Sequence, residues 1–475
     1  MDNFNEIKLS HESYEHLYDQ LFKKLKEKII KGQLPVHSKL PPIRKFAKLL
    51  NVNKSIIIKA YELLDEEKLI YKKPGSGTYV NQLNTSLERN LDKYVQFSDK
   101  MINLASGTPS EELFPVSDFK ESINYVLDRY KGHAFGYGDS KGNLSLRKII
   151  IEELIPDGIV ITKDQLQIVS GAQQGIDIVS KALLKPKDFI MIEMPTYTGA
   201  LAIFKSRGCQ FIGVEINNGI DLKDFEAKVK KNRPKLFFTM PNLHNPTGYT
   251  YTLKEKEKII YLAEKYNFFI VEDDYSSELI FSEGENETLM ALDHKDRVIY
   301  IKSLSKIFLP GLRLGYLIAP QSIEALITNA KHTTDISTSG LIQKTFEYFV
   351  EQGMWLKQKK YIKAIVLEKF KIATQVLDDY LPKGVGYKKP LGGVNFWLDF
   401  DAEISIYNLV KYLETKDIMV APGKIFYLNK SESKHIRISI ASIELDTLEE
   451  NLKLFCNTLD EFLNVETSLK NIPIL

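Results

Sequence analysis

The sequence predicts two architectures in one chain. A small N-terminal unit is α+β but mostly helical, and a large α/β body is built on a largely parallel sheet. Three observations carry this. Leu17, Leu21, Leu25 and Ile29 recur every four residues, which places them on one face of a helix. A glycine-punctuated hairpin, IYK-KPGSG-TYV, closes the first eighty residues. From about 160 to 320, short continuous apolar runs alternate with amphipathic stretches, as in strands buried on both faces and covered by helices.

At 475 residues the chain exceeds one compact core. With 44% apolar and 27% charged residues, disorder and fibrous architectures are excluded. The net charge of +2 hides an asymmetry, because residues 1–82 hold 15 Lys/Arg against 10 Asp/Glu and the remainder holds 49 against 52. A basic end on a slightly acidic body points to a polyanionic partner at that end. Cys209 and Cys456 make no disulfide framework and lack metal-ligand spacing, so no metal site is expected. No apolar run approaches the ~20 residues of a membrane span. The first residues lack the basic and apolar regions of a secretory signal, so the cytosol is the expected location.

The elements of the first unit, residues 12–82, follow in order. Gly32 ends the first helix, and Pro41-Pro42 opens a second, Ile43 to Leu50. Asn53 caps a third, Lys54 to Glu66. On that third helix Ile57, Ala60, Tyr61 and Leu64 share the core face, which leaves Lys54, Ser55, Ile58, Lys59 and Glu62 outward. Ile70–Lys72 and Thr78–Val80 form a two-stranded wing. A helix, a helix-turn-helix and a wing make a DNA-reading layout. Residues 83–100 read as a polar linker, and 101–475 as the body.

The run LPPIRKFAKLLNVNKSIIIKAYELLDEEKLIYKKPGSGTYV resembles the GntR-family winged helix over its whole length. The resemblance implies double-stranded operator DNA as partner, with Arg44, Lys54 and Ser55 on phosphates or bases, Ile58 and Lys59 on the reading face, and the wing at Gly77 close to the backbone. Ile56 and Ile58 depart from the family's polar pattern. They either extend the core or pack on thymine methyl groups of an A/T-rich operator.

In the body the expected strands are Gln167–Ser170, Phe189–Met194, Phe211–Ile216, Leu236–Met240, Phe268–Glu272, Val298–Ile301 and Leu314–Ile318, with a helix at Leu253 to Tyr266. Ligands gather at the carboxyl ends of such strands, and here those ends form a chemical set. Gly171-Ala172-Gln173 opens a helix whose free N–H groups suit a phosphate. Tyr197 offers a ring, and PNLHNPTG presents Asn245. Asp273, Asp274 and Tyr275 come next, then Ser303, Ser305 and Lys306, then Arg313. A lysine amine, a carboxylate for a pyridinium nitrogen, an aromatic face and phosphate donors together are what pyridoxal 5'-phosphate (PLP) requires. Lys302 competes with Lys306, but the Ser-x-Ser-Lys context and the spacing to Arg313 favour Lys306. Asp274 competes with Asp273, and the Asp-x-Tyr spacing favours Asp273, which shares a strand side with Tyr275. LGGVNF (391–396) reads as a glycine turn entering a strand.

SLSKIFLPGLRLGY, NPTG and EDDY resemble the signatures of fold type I, aspartate aminotransferase-like proteins, from about Ile102 onward. This implies an α/β PLP-dependent transferase body with a smaller C-terminal α/β subdomain. By resemblance Lys306 forms the internal aldimine, Asp273 pairs with the pyridine nitrogen, Tyr275 and Asn245 hold the phenolate oxygen, and Tyr197 stacks on the ring. Ala172, Gln173, Ser303 and Arg313 bind the phosphate, and Arg437 in HIRISIA grips an amino acid carboxylate. Tyr137 matches a tyrosine that reaches the neighbouring subunit's phosphate site in family dimers. The combination is that of MocR/GabR-type transcriptional regulators: a homodimer, domain-swapped, that senses an amino compound or PLP through Lys306, without sustained transamination. The alternative is an active aminotransferase carrying a DNA-binding domain.

Overall fold

The computed structural model describes residues 101–470 apart from 217–218, 283–286, 402–403 and 429–432, with 465–470 as backbone only. Before that it describes 16–81 apart from 31–33, 36, 67–68 and 74–75, together with Phe4 and Leu9. The expected linker, 83–100, lies outside the described residues. The chain divides into two compact units, Met1–Asp99 and Lys100–Leu475.

In the first unit, helices α1 (Leu17–Ile30), α2 (Ile43–Leu49) and α3 (Lys54–Glu66) precede strands β1 (Ile70–Lys73) and β2 (Gly77–Val80). The Asn53 side chain accepts from the Ser55 N–H at 3.2 Å, which satisfies one free donor of α3. Ile57, Ala60, Tyr61 and Leu64 are buried with Leu21, Leu25, Ile29 and Phe46 in one core. Lys54, Ser55, Ile58, Lys59 and Glu62 face solvent, as the 3.6-residue period predicts. The two isoleucines part company: Ile56 packs against the core, while Ile58 stays 41% exposed.

In the second unit, β3 (Ile102–Asn103) is followed by β4 (Leu166–Val169), β5 (Phe189–Met194), β6 (Gln210–Glu215), β7 (Leu236–Thr239), β8 (Phe269–Asp274), β9 (Val298–Ser303) and β10 (Gly315–Ile318). The last seven form one sheet in the order β4-β10-β9-β8-β7-β5-β6. Neighbours from β9 to β6 are parallel, and β10 runs antiparallel to both β4 and β9. Because β10 is reversed, Arg313 at its start lies at the same sheet edge as the ends of the other strands.

The central strands are apolar without alternation because helices cover both faces. In β7, Phe237 packs into one core and Phe238 into the other, both fully buried. Each such ring contributes ~1.5–3 kcal/mol relative to exposure. The covering helix Leu253–Tyr266 begins with a capping box between Thr252 and Glu255 and ends at Asn267 in the left-handed region.

A smaller subdomain holds β11 (Val385–Tyr387), β12 (Asn395–Phe400), β14 (Ala421–Pro422) and β15 (His435–Ser439) as an antiparallel sheet ordered β11-β12-β15-β14, while β13 (Ile418–Met419) pairs with β3. Phe396, Leu398, Ile436 and Ile438 pack into a core with the helices Met354–Tyr380 and Leu448–Lys470. Ile102, Leu104 and Leu113 join the same core, so the start of the body returns to its end. Among the described residues no helix is long and apolar enough to cross a membrane.

Candidate functional site

The site is assembled at the strand ends of the large sheet and the facing side of the small one. The end of β8 separates two neighbouring carboxylates. Asp274 accepts from Lys302 Nζ at 2.9 Å, Tyr300 OH at 2.5 Å and Ser277 Oγ at 2.6 Å. Lys302 also contacts Glu278 at 2.7 Å and Ser277 Oγ at 3.0 Å. Burial would raise Asp274, but Lys302 and the two hydroxyls hold it below the usual carboxylate range. Burial likewise opposes the Lys302 charge, and Asp274 and Glu278 outweigh it and push that lysine up. Lys302 is therefore a fully engaged structural cation.

Asp273 is equally buried, yet its Oδ1 meets no hydrogen-bond partner among the described residues. Burial, then the nearby Asp274 and Glu193 charges, push its carboxyl up to about 7. Lys306 Nζ donates to the Gly107 carbonyl at 2.5 Å. Burial, followed by the positive charges of Arg437 and Arg313, pushes this amine down to about 8, with Asp273 opposing. A side chain at Gly107 would bring a Cβ to 3.2 Å from that amine. The two lysines four positions apart thus differ sharply: one is locked by acids, the other is pushed down by burial and then by two neighbouring cations.

Tyr275 donates its hydroxyl to the Leu243 carbonyl and receives the Asn395 amide at 3.2 Å, and burial pushes it up to about 12. Asn245 Oδ1 accepts from Arg437 Nη1 at 3.1 Å, and Arg437 Nη2 donates to the Ala105 carbonyl. The Arg437 guanidinium also lies 5.4 Å from the Phe426 ring centre. Tyr197 donates to Gln173 Oε1 at 3.1 Å, and Gln173 holds the Gly199 carbonyl at 3.2 Å. Burial and then the Asp273 charge raise Tyr197.

Ala172 opens the helix Ala172–Leu183 after Gly171, whose φ is +87°. The first N–H groups of a helix have no acceptor within it. Arg313 points here, its Nη2 at 3.3 Å from the Ser170 carbonyl and its Nη1 at 3.4 Å from Ser305 Oγ. Ser303 Oγ accepts from the Ser305 N–H at 3.3 Å. These residues therefore gather at one sheet edge. Tyr137 is 89% exposed and takes no part in the bonds that tie them together. In the first unit, Arg44, Lys54, Ser55, Ile58, Lys59 and Gly77 are all exposed. Gly77 has φ +133°, and a Cβ there would come within 2.7 Å of Lys39.

Four contributors are not among the site residues read from the sequence. Gly107 and Ala105 act through backbone carbonyls, which carry no signature. Asn395 is the first residue of β12, just after the glycine turn in which Gly392 and Gly393 both have positive φ. Glu193 is buried under the site, bonded to Thr239, Tyr251 and the Met240 N–H.

The profile of the aminotransferase class I and II family matches residues 99–455, three quarters of the chain. The chain belongs to that family. Residues 17–80 match a second family, the bacterial regulatory proteins of the gntR family. The Bacillus subtilis uncharacterized HTH-type transcriptional regulator YdfD is 29% identical over 92% of this chain and 94% of its own length. Aromatic-amino-acid aminotransferase 1 of Thermococcus litoralis is 29% identical over 84% of this chain and 97% of its own. The crystal structure of Pyrococcus horikoshii kynurenine aminotransferase, in complex with PMP, superposes with a TM-score of 0.75 at 29% identity, covering 85% of this chain and 99% of that one. The aminotransferase-type body is thus joined to a GntR-type DNA-binding unit, the two-part architecture of MocR/GabR-type regulators.

The cofactor of this aminotransferase family is PLP. Two observations fit this chain to it. Asp273 carries a buried acceptor with no partner among the described residues, suited to a ring N–H. Gly171 keeps clear the space between the helix start and Arg313, where a Cβ would lie 2.5 Å from Nη2.

Proposed function

We propose that this chain is a DNA-bound regulator that senses an amino compound, or PLP itself, through Lys306. The observation that carries the reading is the buried Lys306 amine, pushed down to about 8 beside Asp273 and Arg437 in a body fused to a gntR-family unit. When bound, PLP supplies an aldehyde that an amine can capture and a ring that withdraws electrons. Lys306 supplies the resident amine. Asp273 keeps a proton on the ring nitrogen, Tyr275 and Asn245 orient the ring through its phenolate oxygen, and Tyr197 covers its face. Ala172, Gln173, Ser303 and Arg313 take the phosphate. Arg437 holds the carboxylate of an incoming amino acid. Asn245 already orients this guanidinium at 3.1 Å.

In the same reading, residues 12–82 form the DNA head, 83–100 the linker and 101–475 the sensing body. Arg44, Lys54, Ser55, Ile58, Lys59 and the wing at Gly77 face operator DNA in the cytosol. Tyr137 is offered to a second copy in a domain-swapped homodimer, its 89% exposure leaving the ring available. A ligand acts as a switch only if it binds two states of the body with different affinity.

The test is footprinting of the upstream intergenic DNA with the full chain, with and without PLP and amino acids, at several salt concentrations. Protection that changes with these ligands supports the reading, and protection indifferent to them overturns it. A second reading, an active aminotransferase, is favoured by Asn245 in PNLHNPTG and by the aminotransferase matches. Sustained conversion of an amino donor and a 2-oxo acid would establish it.

A further inference from the structure

The site-facing side of the small sheet carries an element that neither the expected cofactor contacts nor Arg437 accounts for. In β12 and β15, Asn395 lies opposite Ser439 and Trp397 opposite Arg437. These four share one face, since residues two apart in a strand point the same way. The opposite face, Phe396, Leu398, Ile436 and Ile438, is core. Asn395 and Arg437 are therefore diagonal neighbours, roughly 7–8 Å apart at Cα.

Hydrogen-bond logic fixes which way the Asn395 carboxamide is turned. The Leu243 carbonyl can only accept, so the Tyr275 hydroxyl spends its proton there. The Tyr275 oxygen then accepts, and Asn395 presents its Nδ2 to it at 3.2 Å. Its Oδ1 is left buried, with no partner among the described residues, on a side chain 5% exposed. Arg437 Nε is likewise buried without a partner among the described residues. A buried acceptor left unmade costs ~1–3 kcal/mol. Here an acceptor and a donor, neither partnered among the described residues, belong to diagonal neighbours on one face of the small sheet.

We propose that Asn395 is a specificity-determining residue: its Oδ1 accepts from an O–H or N–H group on the side chain of the amino acid whose carboxylate Arg437 grips. This rests on the reading of Arg437 given above. The effector class is then a polar amino acid with a side-chain donor, rather than an apolar one. A site built around a hydrogen bond discriminates strongly against the isostere that lacks it.

The experiment is an absorbance titration of the PLP-loaded full chain with shape-matched pairs, threonine against valine and asparagine against leucine. The donor-bearing member of at least one pair should bind about tenfold more tightly or better. Asn395→Leu and Asn395→Ala, checked for folding by thermal unfolding, should erase that preference by weakening the donor-bearing member alone. Equal binding within both pairs by the wild-type chain overturns the proposal without recourse to any variant. So does a preference that survives in both variants. Binding without discrimination removes this inference alone, whereas failure of every amino acid to perturb the bound chromophore removes the Arg437 reading and this inference with it.

Discussion

Asp273 and Asp274 are adjacent on β8 and opposite in circumstance. Asp274 is saturated by Lys302, Tyr300 and Ser277, while Asp273 Oδ1 has no partner among the described residues. The first carboxylate belongs to the scaffold. The second is a buried acid that the fold tolerates at a cost, and that cost is measurable.

The folded carboxyl of Asp273 sits at about 7, above the ~3.9 of an unfolded chain. The folded state therefore holds an extra proton between these values. Its contribution to stability is complete below pH ~4 and is lost as pH rises through ~7. In the cofactor-free protein, Asp273→Asn should match the wild type near pH 4 and exceed it at pH 8, by on the order of 4 kcal/mol at most. Urea unfolding across that range reads the difference. Added PLP should stabilise the wild type far more than the variant. A pH-independent difference would remove the account of Asp273.

An amine reacts with an aldehyde only when uncharged. Capture of PLP by the cofactor-free chain, followed by absorbance, should accelerate with pH through a midpoint near 8, since Lys306 is held at about 8. Arg437→Gln removes one positive neighbour and should move that midpoint upward. A midpoint at the ordinary lysine value of ~10.4 would contradict the assignment.

Gly171 combines a φ of +87° with a Cβ position 2.5 Å from Arg313 Nη2. Gly171→Ala should displace that guanidinium and weaken PLP affinity about tenfold or more, the scale of one charge-assisted phosphate contact. Gly132→Ala, where a Cβ meets nothing within 4 Å, serves as the control and should stay within about 0.5 kcal/mol of wild type. Fluorescence titration of the cofactor reads both.

On the DNA head, Ile58 is 41% exposed on the outward face of α3. Selection from random duplexes should return an A/T-rich consensus, and Ile58→Ala should relax it at one position by about 1–3 kcal/mol. Lys54→Ala should instead weaken all sequences alike and lower the salt slope by about one. A G/C-rich consensus would place Ile58 outside the base contacts.

The strands of the large sheet were readable because continuous apolar runs such as LFF and VIYI have few alternatives. Their observed ends fall within two residues of expectation, and the helix Leu253–Tyr266, read from its amphipathic pattern, was anticipated at both ends. The reversal of β10 was not legible, because an apolar run looks alike in either direction. Nor was the return of Ile102 and Leu104 to the C-terminal core, a pairing some three hundred residues apart in sequence. Side chains at strand ends were visible as motifs. The carbonyls of Ala105, Gly107 and Leu243 were not, since every residue has one. Ile56 and Ile58 lie on different faces of α3, and packing settled what periodicity left open.

The proposed sensing depends on one amine of this chain capturing the cofactor. The direct measurement is borohydride reduction of the PLP-loaded full chain followed by peptide mapping. A single pyridoxyl label on Lys306, absent from Lys306→Ala, is expected, with Lys302 unlabelled. A label on Lys302, or none at all, would contradict it.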